Sequence, residues 1–178
     1  FNVSLNYIYI YQLNFSKRIE LFSKFANIFF KSAQSKKILF IGFPESGKTS
    51  IKSVFFDGAD PQVLLGESAP EPTRGLAHFV YSWLDTEVGI VDSSGQEFKT
   101  YISSNNSIEK KMAFASSDII IYVFDIINWN ENPNEVINNL QKILKTKAKL
   151  SSKAKVYAFC HKIDLLQHSH HLNSPQIH

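Results

Sequence analysis

Gly42-Phe43-Pro44-Glu45-Ser46-Gly47-Lys48-Thr49 is the stretch that decides how this chain is read. Two glycines separated by four residues, with Lys and Thr directly after, form the phosphate-cradling P-loop pattern. At average composition such a match arises by chance about once in a few tens of thousands of positions. Its flanks agree with it. Ile38-Leu39-Phe40-Ile41 is an apolar run that reads as a buried strand, and Thr49 to Phe56 continues as a helix with Ile51, Val54 and Phe55 apolar. A strand, a glycine loop and a helix start, in that order, aim unpaired backbone N–H groups and the positive end of a helix dipole at one point. Lys48 then reaches outer phosphates as a point charge, and the Thr49 hydroxyl is a Mg²⁺ ligand. The competing reading, a glycine turn beside a solvated lysine, leaves the flanking strand and helix unexplained.

The rest of the chain sets bounds on what such a site serves. Its 178 residues support one domain with a sizeable core, and 44% hydrophobic with 20% charged residues is an ordinary globular balance. A net charge of +3 gives no argument for a nucleic-acid partner. The lysines at 142, 145, 147, 149, 153 and 155 read as a helix C-terminus and a solvated turn, with an anionic membrane or protein partner as the alternative. A single cysteine, Cys160, excludes an intrachain disulfide and points to a reducing, cytoplasmic setting. Because Cys160 closes an apolar run, it is expected to be a buried small hydrophobe rather than a nucleophile. No apolar run is long enough to span a bilayer. The first residue is Phe1, so a fragment of a longer product is expected.

Residues 1–35 read as an N-terminal extension. Tyr7 to Tyr11 has high β propensity with no evident partner. Ser16 caps a helix whose apolar line is Ile19, Phe22, Ala26 and Phe29, with Glu20, Lys24, Asn27 and Lys31 opposite. Residues 16–31 suit either a membrane interface or packing on a protein surface, and both readings stay open. Asn2 cannot carry a myristoyl chain, so any membrane contact of this chain is expected to be weak and peripheral.

Beyond the P-loop, residues 57–75 form a long irregular segment ending in Glu71-Pro72-Thr73-Arg74-Gly75, where a threonine is placed to sense Mg²⁺ and an outer phosphate. Leu76 to Trp83 and Thr86 to Val91 read as two strands, the second delivering Asp92. A carboxylate at a strand end beside a P-loop is suited to hold Mg²⁺, often through water. Gly95 would let a backbone N–H approach a γ-phosphate, and Gln96 could orient water. Residues 97–110 show no sustained apolar period and are read as mobile, with a helix from about Ile108 to Ala115. Ile119 to Phe124 is a central parallel strand followed by Asp125. Pro133 starts a helix with a stripe of Val136, Ile137, Leu140, Ile143 and Leu144. Ala154 to Cys160 is a further strand, delivering His161-Lys162-Ile163-Asp164. A carboxylate accepts two hydrogen bonds from the N1–H and N2–H₂ edge of guanine, an edge adenine lacks, and a lysine stem can lie on the purine face. Asp164 and Lys162 fit those roles.

With these residues in order, the chain resembles the Ras-like small GTPase superfamily from about Lys36 to Asp164. It is most similar to the Rag/Gtr branch, through Ser46-Gly47-Lys48-Thr49-Ser50-Ile51, Ile121-Tyr122-Val123-Phe124-Asp125 and the tetrad opened by His161, where most Ras-like proteins have Asn. Pro72-Thr73 and the preceding amphipathic helix look more like Arf-like proteins. The resemblance implies an α/β P-loop NTPase fold, a three-layer sandwich on a mostly parallel sheet, spanning residues 36–164. It implies GTP or GDP with Mg²⁺ as ligands. Gly42, Glu45, Ser46, Gly47, Lys48, Thr49 and Ser50 line the phosphate side. Thr49 and Thr73 ligate Mg²⁺ in the triphosphate state with Asp92 behind them, Gly95 contacts the γ-phosphate, and His161, Lys162 and Asp164 serve the guanine. Gln96, Lys48 and Thr73 carry the catalytic roles. Segments near 57–75 and 93–110 become two switches ordered by γ-phosphate. Hydrolysis is expected to be slow without a partner supplying positive charge. An exchange factor, an activating protein, effectors and a second GTPase as dimer partner are the implied partners.

Three departures accompany the resemblance. Pro44 and Glu45 stand where many relatives have small residues, and a carboxylate there lowers phosphate affinity unless it points to water. The family's last strand, its guanine-supporting Ala-Lys loop and its closing helix are expected to be missing, because Leu165 to His178 cannot supply them. The C-terminal dimerisation domain of Rag-type proteins is also expected to be absent. Residues 165–178 read as a polar tail, and His168, His170, His171 and His178 lack regular metal-ligand spacing. The leading functional expectation is a guanine-nucleotide switch with slow Mg-dependent GTP hydrolysis. The alternatives are a non-catalytic adaptor or scaffold on a degenerate GTPase fold and, more weakly, a P-loop ATPase.

Overall fold

The computed structural model describes residues 36–60, 64, 74, 76–83, 86–93, 98–103, 108–163 and 165. The N-terminal extension, Thr73, Gly95, Gln96, Asp164 and the histidine-rich tail lie outside the described residues.

The chain enters on β1 (Lys36–Gly42) and turns through the P-loop into α1 (Lys48–Phe56). Two antiparallel strands follow, β2 (Leu76–Trp83) and β3 (Thr86–Ser93). Two short helices, α2 (Phe98–Ser103) and α3 (Ile108–Phe114), precede β4 (Ile119–Asp125). Then come α4 (Ile126–Glu131), the long α5 (Pro133–Leu150) and β5 (Lys155–His161). The strands form one sheet in the order β2-β3-β1-β4-β5, parallel except for β2.

The parallel centre explains the continuous apolar runs. All seven residues of β4 are buried, because helices cover both faces of the sheet. Alternate residues of each strand feed opposite layers. Leu39, Ile41, Val91, Ile120 and Tyr122 join a core closed by Phe98, Phe114, Val136 and Ile143. Ile38, Phe40, Ile90, Ile121 and Val123 pack on Ile51 and Phe55 of α1. The expected three-layer α/β sandwich on a mostly parallel sheet is therefore the architecture observed.

Several sequence expectations need amendment. The stretch read as mobile after residue 97 contains α2, which buries Phe98 and Ile102 completely or nearly so. Six residues are too few to show a helical period, yet an i, i+4 apolar pair is enough to dock one turn and a half. The stripe assigned to α5 is shifted: Ile137 is 43% exposed, whereas Asn139 and Thr146 are buried. α4 was not anticipated; Asp125 begins it with a capping box, reciprocally bonded to Asn128. Cys160 is buried as expected, and burial first, then the charge of Asp125, pushes its thiol up to about 11.

Candidate functional site

Register sets the floor of the site. Gly42 pairs with Val123 of β4, and a Cβ on Gly42 would lie 1.9 Å from the Val123 carbonyl oxygen. No side chain fits there, so the first glycine is required by strand pairing before any ligand enters. The loop then climbs to the surface at Pro44 and Glu45 and returns to Ser46, which is fully buried with its hydroxyl donating to the Phe43 carbonyl at 2.9 Å. Glu45 adopts φ +56°, the left-handed region, and its side chain is exposed. Exposure keeps the Glu45 side chain hydrated, which lessens the cost of its charge beside phosphates without removing it. A non-glycine residue held there costs about 1–2 kcal/mol of backbone strain.

Gly47 caps α1 at φ +93°. Behind it stands the ring of His161, so near that a Cβ on Gly47 would meet Nδ1 at 2.2 Å. His161 is buried at the end of β5. The tetrad expected to read the base thus begins by backing the phosphate loop.

Lys48 is 6% exposed and folds back along the loop, donating to the carbonyls of Phe43 at 2.7 Å and Gly42 at 3.3 Å. Burial lowers its pKa to about 8, partly opposed by the charge of Asp92. Thr49 donates its hydroxyl to Asp92 Oδ2 at 2.9 Å. Asp92 is fully buried on β3, in register with Phe40. A hydroxyl and a carboxylate so placed beside Lys48 are hard oxygen donors of the kind Mg²⁺ takes, with its remaining positions left to water and phosphate. Among the described residues no group of three or more His, Cys, Asp or Glu could hold a metal by itself, and the histidines of the tail lie outside them. Ser50 sits half-buried on the first turn of α1. Lys162 adopts φ +56° after β5 and reaches Asp125 Oδ2 at 3.3 Å.

Lys48, Thr49, Asp92, Gly47 and His161 are thus brought together around one loop. Thr73, Gly95, Gln96 and Asp164 lie outside the described residues. Sequence reasoning missed two supporting groups. Asp125 was noted only as the residue after a strand; the Asp-x-x-Asn pattern it opens was the available signal. Lys52, 6% exposed on α1, pairs with Asp57 at 2.8 Å and lies 4.0 Å over the Phe79 ring, while Tyr81 donates to Asp57 at 2.5 Å. Nothing in local spacing announces that cluster. Phe43, the second loop residue, packs on Phe98 and Tyr122 at ring separations of 5.6 and 6.4 Å, so the loop touches α2 through aromatic rings. A cleft of about 280 Å³ between α2 and α5 includes Lys99, Glu135, Asn139 and Lys142 but no P-loop residue.

A glycine loop on a central parallel strand, a buried lysine, and a threonine bonded to a strand-end carboxylate define a P-loop nucleotide-binding domain. The family model of the Gtr1/RagA G protein conserved region matches residues 37–177, and the chain belongs to that family. It is 29% identical over 134 residues to the "Ras-related GTP-binding protein A" of Dictyostelium discoideum, covering 74% of this chain and 42% of that protein. It is 28% identical over 142 residues to the "GTP-binding protein GTR1" of Saccharomyces cerevisiae, covering 76% and 42%. The matched part of the chain thus spans about two fifths of the length of these relatives.

Proposed function

We propose that the protein is a guanine-nucleotide switch: it binds GTP and GDP with Mg²⁺, hydrolyses GTP slowly, and acts through effectors that read the nucleotide state. The observation that carries this reading is the triad of Lys48, Thr49 and Asp92 closed around the loop, with Thr49 bonded to Asp92 at 2.9 Å. Two relatives named as GTP-binding proteins support the choice of nucleotide.

In this reading the backbone N–H groups from Gly42 to Thr49 take the diphosphate, and Lys48 leaves the Phe43 carbonyl for the outer phosphates. Thr49 and Asp92, joined by Thr73 in the triphosphate state, would hold Mg²⁺, which neutralises phosphate charge. Gly95 approaches the γ-phosphate and Gln96 orients water. His161 backs the loop while Lys162 and Asp164 choose guanine. Chemistry of this kind relies on positioning and electrostatics, so an activating partner that adds positive charge accelerates it strongly. An exchange factor and a second GTPase as dimer partner belong to the same proposal. So does a cytoplasmic location with peripheral membrane contact through residues 16–31.

Nucleotide extraction from purified protein, followed by titration with labelled GTP, GDP and ATP, tests it. GDP or GTP in the extract and selectivity over ATP are the expected results. Equal ATP binding sinks the guanine assignment. An empty extract with no titration signal leaves the adaptor reading.

A further inference from the structure

Asp125 is the hinge between β4 and α4, and it is 5% exposed. Its Oδ1 accepts the backbone N–H of Asn128 at 2.8 Å, and its own N–H donates to Asn128 Oδ1 at 3.2 Å. Capping this short helix uses one carboxylate oxygen. The other, Oδ2, takes the Lys162 ammonium at 3.3 Å, across 37 residues of chain. The pairing of β4 with β5 puts the two within reach, since Asp125 is the register partner of His161 and Lys162 is the next residue.

We infer that Asp125 is a positioning residue for purine recognition: it anchors the Lys162 ammonium so that the lysine stem is already laid out when the base arrives. The inference rests on the guanine reading given above.

The physical case has three parts. A lysine side chain is rich in rotamers, and ordering it on binding costs entropy; an anchored lysine has lost that freedom beforehand. Lys162 itself departs from the backbone in the left-handed region at φ +56°, which turns it back towards β4 rather than onward from β5. The carboxylate side chain is only 8% exposed while the lysine side chain is 33% exposed, so the anchor is buried and part of the lysine remains accessible. A buried acceptor screened from water holds a cation better than a surface pair does. His161, the residue between strand pair and lysine, backs Gly47, so one strand end fixes both the loop for phosphate and the lysine for base.

Asp125→Asn separates the two duties of the residue. Asparagine is a good N-cap and keeps the bond from Asn128, but it has no charge for Lys162. Three measurements on the whole 178-residue chain are needed. In nucleotide-free protein, acetylation of Lys162 followed by peptide mass spectrometry should run severalfold faster in Asp125→Asn, with exposed Lys145 and Lys153 as internal references. Guanine nucleotide should leave the variant about tenfold faster, while its affinity for Mg-tripolyphosphate and its melting temperature stay at wild-type values. In a Lys162→Met background, Asp125→Asn should have no further effect on dissociation. Unchanged Lys162 reactivity overturns the proposal. So does raised reactivity with unchanged GTP dissociation, and so does an undiminished effect of Asp125→Asn in the Lys162→Met background. A wild-type protein that holds no guanine nucleotide overturns the parent reading instead, and the acetylation arm then still reports whether Asp125 holds Lys162.

Discussion

Thr49 and Asp92, 43 residues apart, are joined by one hydrogen bond of 2.9 Å from hydroxyl to carboxylate. The bond ties the first turn of α1 to the end of β3. It also pre-assembles the hydroxyl proposed to ligate Mg²⁺ and the carboxylate proposed to hold the ion through water. Thr49→Ala is therefore expected to do two separable things. Stability should fall by about 1.5–3 kcal/mol, the usual worth of a hydrogen bond to a charged group, because Asp92 is fully buried. The slowing of nucleotide release by Mg²⁺ over EDTA should shrink at least about tenfold, because the proposed Mg²⁺ ligand is gone. A stopped-flow release assay with a fluorescent GDP analogue, with and without Mg²⁺, reads the second effect. Wild-type Mg²⁺ dependence in the variant contradicts the assignment.

Lys48 gives the site a pH signature. Burial holds its pKa at about 8 in the free protein. Bound phosphates favour the charged ammonium and raise that value, so binding takes up a proton once the free lysine begins to lose one. Affinity should be flat below about pH 7 on this account and fall as pH rises through 8, by at most about tenfold per unit. Calorimetry in two buffers of different ionisation enthalpy should show proton uptake growing across that window. Lys48→Arg, which stays protonated, should remove the slope even where it weakens binding.

Glu45 carries two costs that one substitution relieves. Its φ of +56° is strained for any residue with a Cβ, and its carboxylate sits in a loop built for anions. Glu45→Gly is expected to raise GTP affinity about three- to tenfold at low salt, shrinking as added salt screens the charge. Glu45→Gln keeps the strain and removes the charge, so it isolates the electrostatic part. No gain from Glu45→Gln, or a gain that added salt does not shrink, would contradict the electrostatic part.

Phe98 packs on both the P-loop residue Phe43 and Tyr122, at ring separations of 5.6 and 5.9 Å, and is fully buried. Phe98→Ala should cost about 3–5 kcal/mol, read as a lower urea midpoint. Phe98→Leu should recover most of that loss. If Phe98→Ala proves neutral, α2 is not docked on the sheet as described.

Much of this was legible in the sequence, and the reason is local. The P-loop spacing, the apolar runs of β1 and β4, and the strand pair at 76–93 each report a backbone conformation or a burial pattern carried by neighbouring residues. The roles proposed for Lys48, Thr49 and Asp92 come from motif order, and the tertiary arrangement brings the three together. Short elements were less legible. α2 and α4 have six residues each, too few for a period to stand out from the background. Lys52 reads as a solvated helix residue by spacing, because its partners arrive from the next connection and the next strand: Asp57, Phe79 and Tyr81.

The chain alone determined that a strand, an anion-cradling loop and a helix stand in series, and that acidic and basic residues wait at the ends of later strands. Local patterns set φ, ψ and the buried face, and those need no knowledge of the fold. Only the sheet order β2-β3-β1-β4-β5 decided which strand ends face each other. It put the Val123 carbonyl where a Gly42 side chain would be, the His161 ring behind Gly47, and Asp125 under Lys162. Those meetings come from strand pairing between distant segments, which no periodicity of 2 or 3.6 residues encodes.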